Sequence, residues 1–206
     1  GFEDMCSEME LEDEEAKDFV QRVQAQSKEL PRHADRIEIV LERMLGHFLE
    51  HPDPNGFKAQ LVAVDRKACA LYKLSLDKKL AGRGLPPEWS DVIISAAQNS
   101  EPEIERFEYP KAKQDELIDY FKLTPPEWEV WNRERHGEDR SCWRPPLKLL
   151  IVCDRLLTGF DAPVEQVMYL DKVVVAHNLL QTIARVNRVG GADKDKGFIV
   201  DYVGVG

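Results

Sequence analysis

The sequence predicts an α/β fold in which a parallel sheet carries helices on both faces and follows a helical segment. Short runs rich in Val, Ile and Leu recur along the chain without polar alternation, which is typical of strands buried on both faces. Segments with apolar residues at helical spacing lie before and between these runs. The predicted strands span residues 57–65, 91–97, 147–153, 164–171 and 197–203.

Helical patterns open the chain before any strand. Residues 15–30 and residues 34–51 both place apolar side chains at helical spacing. The turn-forming cluster HPDPNG, residues 51–56, then marks a boundary. We therefore expect an acidic arm with lead-in helices over residues 1–55 and an α/β lobe over residues 56–206.

Residues 98–146 are predicted to be an irregular excursion from the sheet. Two helical patterns occur there, at 113–121 and 125–137, but prolines interrupt the segment. The tryptophans around it are expected to pack the excursion onto the lobe rather than to stack on bases. The prolines are Pro102, Pro110, Pro125, Pro126, Pro145 and Pro146, and the tryptophans are Trp89, Trp128, Trp131 and Trp143.

Composition and charge indicate a globular chain with a polar arm. The net charge is −10, and eight acidic residues with no basic one fall within residues 1–15. A basic groove elsewhere is therefore not excluded. The four cysteines show neither a disulfide framework nor metal-ligand spacing, and no apolar run is long enough for a membrane span. We expect no membrane role, a cytoplasmic setting and a fragment of a longer protein.

The segment HNLLQTIARVNR, residues 177–188, reads as an amphipathic helix between the last two strands. Gln181, Arg185 and Arg188 share one face because they are spaced four and three residues apart. Arginines pointing away from a core can match an anionic ligand. The alternative is a surface helix whose arginines are only solvated.

A polar turn follows the third predicted strand. Ligands bind beyond the carboxyl ends of the strands in open parallel sheets, so Thr158, Gly159 and Asp161 are candidate site residues. Gly159 allows a backbone conformation that side chains with a Cβ resist. Asp161 can hydrogen-bond to the local backbone or to a ligand hydroxyl. An ordinary loop of an α/β fold remains the alternative.

The order of these segments carries a family resemblance. The run LLTGFDAP followed by LLQTIARVNR resembles motifs V and VI of the superfamily 2 helicases and translocases. The flanking residues most resemble the motor, or R, subunit of type I restriction enzymes. FKAQLVAVDRKACALY is similar to motif IV of that family, with Arg66 at its arginine and Asp65 in place of its usual serine. The resemblance implies a RecA-like lobe, the second of two.

This resemblance implies an ATP cleft between the two lobes, with the triphosphate and Mg²⁺ held mainly by the first lobe. Arg185 and Arg188 would face the phosphates as catalytic residues, and Gln181, Gly159 and Asp161 would contact the nucleotide. Thr158 would link the cleft to the DNA backbone. Among the basic residues, Lys58, Arg66 and Arg155 are candidates for DNA phosphate contacts, although each is more often a solvated surface charge.

No G-x-x-x-x-G-K-[ST] phosphate cradle occurs in the chain, so we expect the isolated polypeptide to be inactive. The expected function is the second motor lobe of an ATP-dependent double-stranded DNA translocase in a type I restriction endonuclease. Its expected partners are the first lobe and a nuclease domain of the same full-length chain, and the methyltransferase and specificity subunits. The alternatives are a lobe of another superfamily 2 translocase or repair helicase, and a non-catalytic docking module.

Overall fold

The computed structural model describes residues 33–153, 162–173 and 196–203. Five strands among these residues form one sheet in the order β2-β3-β1-β4-β5, and every neighbouring pair is parallel. The predicted parallel α/β sheet is therefore confirmed. The strands are β1 Lys58–Ala63, β2 Ser90–Ile93, β3 Leu149–Val152, β4 Glu165–Asp171 and β5 Phe198–Asp201.

The described residues also contain α-helices and short 3₁₀ turns. The helices are α1 Ala34–Glu50, α2 Arg66–Gly82, α3 Pro102–Glu105, α4 Lys111–Lys122 and α5 Pro125–His136. The 3₁₀ turns are Asp53–Asn55, Pro87–Trp89 and Arg140–Cys142. None of the helices in the described part of the chain is long and apolar enough to cross a membrane. The predicted helix at 15–30 lies outside the described residues.

One face of the sheet is covered by α1 and α2. The apolar stripe of α1 is buried against residues of β1, β3 and β4 in a single core cluster. Because α1 shares this core, the second lead-in helix is part of the folded lobe. The buried residues of the stripe are Ile37, Val40, Leu41, Met44, Leu45 and Phe48.

The opposite face is covered by α4, with α5 packed beside it. Leu117, Tyr120 and Phe121 of α4 form a second core cluster with Leu150 and Met168 of the sheet. Both helical patterns at 113–121 and 125–137 form helices, but the description of residues 98–146 as irregular is wrong. This segment supplies the helical layer that a parallel sheet needs on its second face.

The prolines of this segment mark where helices begin. Pro102 and Pro125 occupy the first turns of α3 and α5, where a missing backbone N–H costs no helical hydrogen bond. Thr124 and Glu127 close a capping box at the start of α5, with the Glu127 carboxylate 2.8 Å from both the backbone nitrogen and the hydroxyl of Thr124. These prolines therefore delimit helices rather than disrupt them.

The tryptophans pack as the sequence predicts. Trp128 and Trp131 lie against the second core cluster, and Trp89 lies against the first. The rings of Trp128 and Trp143 meet edge to face at 5.5 Å between centroids. The Trp143 indole N–H donates to the carbonyl of Gly137 at 2.9 Å. These contacts fix α5 and the turn that follows it on the lobe.

Gln60 is a polar residue in the middle of the central strand. It is completely buried, and its register partners are Leu150 on β3 and Met168 on β4. Neither its amide nitrogen nor its amide oxygen has a hydrogen-bond partner among the described residues. An unpaired buried amide costs about 1–3 kcal/mol of folding free energy.

We expect Gln60→Met to raise the free energy of unfolding by about 1 kcal/mol, because methionine fills similar space without a polar group that needs a partner. Chemical denaturation of the 206-residue chain measures this change. Gln114→Met is the matched control, since Gln114 is also buried but donates to the carbonyls of Ile94 and Tyr109 at 3.1 and 2.7 Å. The control should destabilise the chain, and destabilisation by Gln60→Met would contradict the prediction.

Candidate functional site

The strand order predicts a ligand-binding crevice at the carboxyl edge of the sheet, beside the central strand. After the central strand β1, the chain forms β2 at one edge of the sheet and then β3 between β2 and β1. After β3 it crosses over β1 and forms β4 and β5 on the other side. Such a reversal opens a crevice beyond the carboxyl ends of the strands, where ligands bind in open α/β sheets. The chain segments that directly follow β1, β3 and β4 therefore carry the candidate site.

The segment after β1 is a tight entry into a helix. Asp65 is the N-cap of α2, and its carboxylate accepts a hydrogen bond from the backbone nitrogen of Ala68 at 2.9 Å. Asp65 therefore caps the helix, as the serine that is usual at this position of motif IV can also do. Helix capping orients Arg66, the first residue of α2, at the carboxyl edge of the sheet.

Arg66 is held by the segment that follows β2. Its guanidinium donates to the Ser95 carbonyl at 3.3 Å and to the Ser100 hydroxyl at 2.8 Å, and it pairs with Glu108 at 3.1 Å. Ser100 in turn donates to Glu108. Arg66 is thus at the edge where a ligand contact is expected, but an acidic partner already neutralises it. Sequence patterns gave no signal for Glu108, which lies 42 residues away along the chain.

Asp171 ends β4 as a fully buried carboxylate. The Tyr72 hydroxyl donates to it at 2.5 Å, and Arg36 of α1 forms an ion pair with its other oxygen. Arg36 also donates to the Tyr202 carbonyl just after β5, at 3.3 Å. Burial raises the pKa of Asp171, while the Tyr72 hydrogen bond and the Arg36 charge oppose that rise. The network ties α1 and α2 to the carboxyl ends of β4 and β5.

Lys172 is a basic residue of the crevice that the sequence analysis did not select. It directly follows β4, and its ammonium reaches the Cys153 carbonyl after β3 at 3.5 Å. Since β1 lies between β3 and β4, this side chain spans the carboxyl end of the central strand. The only sequence signal was its position immediately after a buried strand.

Lys58 lies at the opposite, amino edge of the sheet and is 4% exposed. Its ammonium donates to the Phe121 carbonyl at 2.7 Å. This placement corrects the expectation that Lys58 contacts a DNA phosphate, because the side chain is neither on the surface nor near Arg66. The first residue of a strand covered on both faces is buried even when it is charged.

The other predicted site residues lie outside the described part of the chain. They belong to residues 154–161, which directly follow β3 and its last described residue Cys153, and to residues 174–195, which separate β4 from β5. These residues are Arg155, Thr158, Gly159, Asp161, Gln181, Arg185 and Arg188.

Comparison with known proteins identifies the family. A family model described as domain 3 of the type I restriction enzyme subunit R matches residues 97–204, more than half of the chain. The chain belongs to the type I restriction enzyme subunit R family. The recognition made from motifs IV, V and VI is confirmed at this level.

Relatives of the R subunit family agree with this assignment. The chain is 36% identical to the subunit named as the MjaVIIP endonuclease subunit of Methanocaldococcus jannaschii, over 87% of this chain and 16% of that protein. It is 34% identical to the HindI endonuclease subunit of Haemophilus influenzae, over 77% of this chain and 14% of that protein. The chain thus spans a sixth or less of the length of these endonuclease subunits.

A solved structure shares the fold. A fragment named as an HsdR subunit of a type I restriction enzyme from Vibrio vulnificus matches with a TM-score of 0.50 at 16% sequence identity. The match covers 82% of this chain and 28% of that one. At this identity the likeness shows the α/β architecture alone.

The buried Lys58 generates a prediction about pH and stability. Burial and the nearby Lys148 charge lower the pKa of Lys58 from 10.5 to about 7, and the Glu127 charge opposes them. Between these two pH values the unfolded chain binds a proton that the folded chain binds less readily. The contribution of Lys58 to stability is therefore present above pH 10.5 and is lost as the pH falls toward 7.

We expect Lys58→Met to be more stable than the parent chain at neutral pH, with the difference shrinking as the pH rises toward the ordinary lysine pKa. Denaturant unfolding at a series of pH values measures the difference. Lys111→Met is the control, because it makes the same substitution at a lysine that is exposed on α4. A flat profile for Lys58→Met would refute the assignment.

Proposed function

We propose that this chain is the second motor lobe of an ATP-dependent double-stranded DNA translocase within a type I restriction endonuclease. The observation that carries the proposal is the coincidence of family and topology. The chain belongs to the R subunit family, and in the sequence the segments that resemble motifs V and VI come after β3 and after β4. In open parallel sheets, ligands bind beyond the carboxyl ends of the strands. The fold alone would support many functions, so the resemblance of these segments to motifs V and VI is what supports this proposal.

Two basic side chains lie in the described part of the carboxyl edge. Lys172 spans the end of the central strand, and Arg66 lies at the end of β1. The acidic group of this edge that is fully buried, Asp171, is matched by Arg36. Bound between two lobes, ATP with Mg²⁺ would supply the chemical energy for translocation, and the other lobe would hold most of it, since this chain has no phosphate cradle.

The proposed catalytic roles fall on the motif VI arginines. Arg185 and Arg188 would stabilise negative charge that develops on the transferred phosphoryl group, as arginines do in related enzymes. Gln181 on the same face, with Gly159 and Asp161 after β3, would position the nucleotide. Thr158 and Arg155 would contact the DNA backbone, together with Arg66. Such contacts to phosphates are independent of sequence, as movement along DNA requires.

The same proposal fixes the partners of the chain. It would work with the first lobe and a nuclease domain of the full-length R subunit, and with methyltransferase and specificity subunits. Half of an ATP cleft cannot complete the reaction, so the isolated 206-residue chain should hydrolyse no ATP. Without the opposing lobe, no triphosphate would be held where Arg185 and Arg188 could act on it.

We expect Arg185→Ala or Arg188→Ala in the full-length subunit to lower DNA-stimulated ATP hydrolysis by about 10³-fold while DNA binding persists. The loss would arise because these guanidinium groups act on the transition state. Steady-state ATPase assays with and without double-stranded DNA measure it. Arg133→Ala is the control, since Arg133 is on α5 and pairs with Glu138 at 3.0 Å, away from the crevice. Unchanged hydrolysis in both motif VI variants would favour a docking module instead.

The DNA contact of Arg66 is tested in a background that removes its acidic partner. In the full-length subunit, we compare Glu108→Gln with the double variant Glu108→Gln, Arg66→Ala, so that no buried carboxylate is left uncompensated. Loss of one phosphate contact should reduce the slope of log affinity against log salt by about 0.9. Equal slopes in the two variants would remove Arg66 from the DNA track.

A further inference from the structure

A pocket opens at the amino edge of the sheet, on the side opposite the proposed ATP cleft. Its volume is about 490 Å³, which lies within the range of ligand and side-chain binding pockets. The turn Asp53–Asn55, the starts of β1 and α5 and the approach to β3 surround it. Across the six residues of β1, about 17 Å separate this pocket from the crevice.

The walls of the pocket are apolar and stiff. They include three prolines, whose rings have few conformations, and two aromatic side chains. Gly56 adopts a left-handed conformation with φ of 73°, and a Cβ there would lie 2.8 Å from the Pro125 ring. The wall residues are Pro54, Phe57, Leu123, Pro125, Trp128 and Pro146.

One of the two lysines in the pocket has a counter-ion and the other does not. Lys148 pairs with Asp53 at 2.5 Å and lies over the Trp89 ring. Lys58 makes a single hydrogen bond, to the Phe121 carbonyl, and has no ion pair with any carboxylate of the described residues. An ammonium group has three donors, so Lys58 has two to spare inside an apolar wall.

The acidic group that acts on Lys58 from α5 is already engaged. The Glu127 carboxylate caps its own helix through the backbone nitrogen and hydroxyl of Thr124. The charges that act on the pKa of Lys58 are Lys148, which lowers it, and Glu127, which raises it from the cap. Asp53, the carboxylate that lines the same pocket, is paired with Lys148. Burial, followed by the Lys148 charge, lowers the pKa of Lys58, and the Glu127 charge does not offset them.

We propose that this pocket receives a carboxylate side chain from a part of the full-length R subunit outside this chain, which pairs with Lys58 while its apolar stem packs on the pocket walls. This inference rests on the proposed function in requiring a longer subunit. The chain spans 16% and 14% of the length of two relatives, so most of such a subunit would remain to supply the partner. Docking here leaves the carboxyl edge open to nucleotide and DNA.

Charge complementarity selects the carboxylate over a neutral group. A glutamate or aspartate would provide the acceptor that the spare Lys58 donors need, and a charge-assisted hydrogen bond of this kind is about twice as strong as a neutral one. A purely apolar side chain would bury Lys58 still further without a partner, at a high cost in free energy. The pocket therefore discriminates between occupants by charge as well as by shape.

Zero-length cross-linking of the full-length subunit tests the proposal. A carbodiimide activates a carboxylate, the neutral Lys58 amine attacks it, an amide bond forms, and the carboxylate oxygen leaves in the urea by-product. Mass spectrometry of the digested protein then identifies both peptides. We expect Lys58 to be joined to an aspartate or glutamate that lies outside the present 206 residues.

Two controls make the result decisive. The Lys148–Asp53 pair should cross-link in every sample, because its nitrogen and oxygen are 2.5 Å apart. Lys58→Arg keeps the positive charge but cannot couple under these conditions, so the Lys58 product should disappear from this variant alone. Replacing the identified acid with its amide, Glu→Gln or Asp→Asn, should also abolish the product.

Several outcomes would overturn the proposal. Recovery of Lys148–Asp53 without any Lys58 product would mean that no carboxylate enters the pocket. A Lys58 product confined to Glu127 would mean that the cap supplies the counter-ion. A product between isotopically distinct copies of the subunit would make a second copy the occupant. The experiment needs neither ATP nor DNA, so its result is separate from that of the motif VI variants.

Discussion

The need to cover both faces of a parallel sheet governs this structure. The central strand β1 has strands on both sides and buried residues along its whole length, so neither face can meet water. Helices α1 and α2 cover one face, and α4 with α5 beside it covers the other. The crossover between β2 and β3 must therefore be long, and its helices have to start sharply, which is where its prolines lie.

Covering both faces leaves the two edges of the sheet as the places where polar chemistry can occur. At the carboxyl edge the charges are largely matched within the chain, with Arg36 on Asp171 and Glu108 on Arg66. At the amino edge Lys58 contacts the carbonyl and the ring of Phe121 but has no ion pair with a carboxylate of the described residues. A matched edge can hold its groups in place for a ligand, whereas an unmatched charge points to a partner beyond the chain.

The strands and the main helices could be predicted from sequence because their apolar patterns are local and regular. The position of Lys58 could not, because a charged residue at a strand end reads as exposed unless the neighbouring strands are known. The pairing of Arg66 with Glu108 and of Arg36 with Asp171 joins residues 42 and 135 positions apart. Single-sequence patterns carry no information about contacts of that range. Helical spacing is local, so it could single out Gln181, Arg185 and Arg188, which stay a prediction because they lie outside the described residues.

The lead-in helix connects these observations. Arg36 at the start of α1 binds the ends of β4 and β5, and the other end of α1 leads into the turn that borders the amino-edge pocket. The helix therefore spans the lobe from one edge to the other, and its apolar stripe is part of the core. If α1 is rigid, its packing sets both the carboxyl ends of β4 and β5 and the turn beside Lys58. The position of a domain docked at Lys58 would then depend on the same packing. The segment between those two strands in the sequence carries Arg185 and Arg188, so in the proposed motor the docking site and this segment would both be connected to α1.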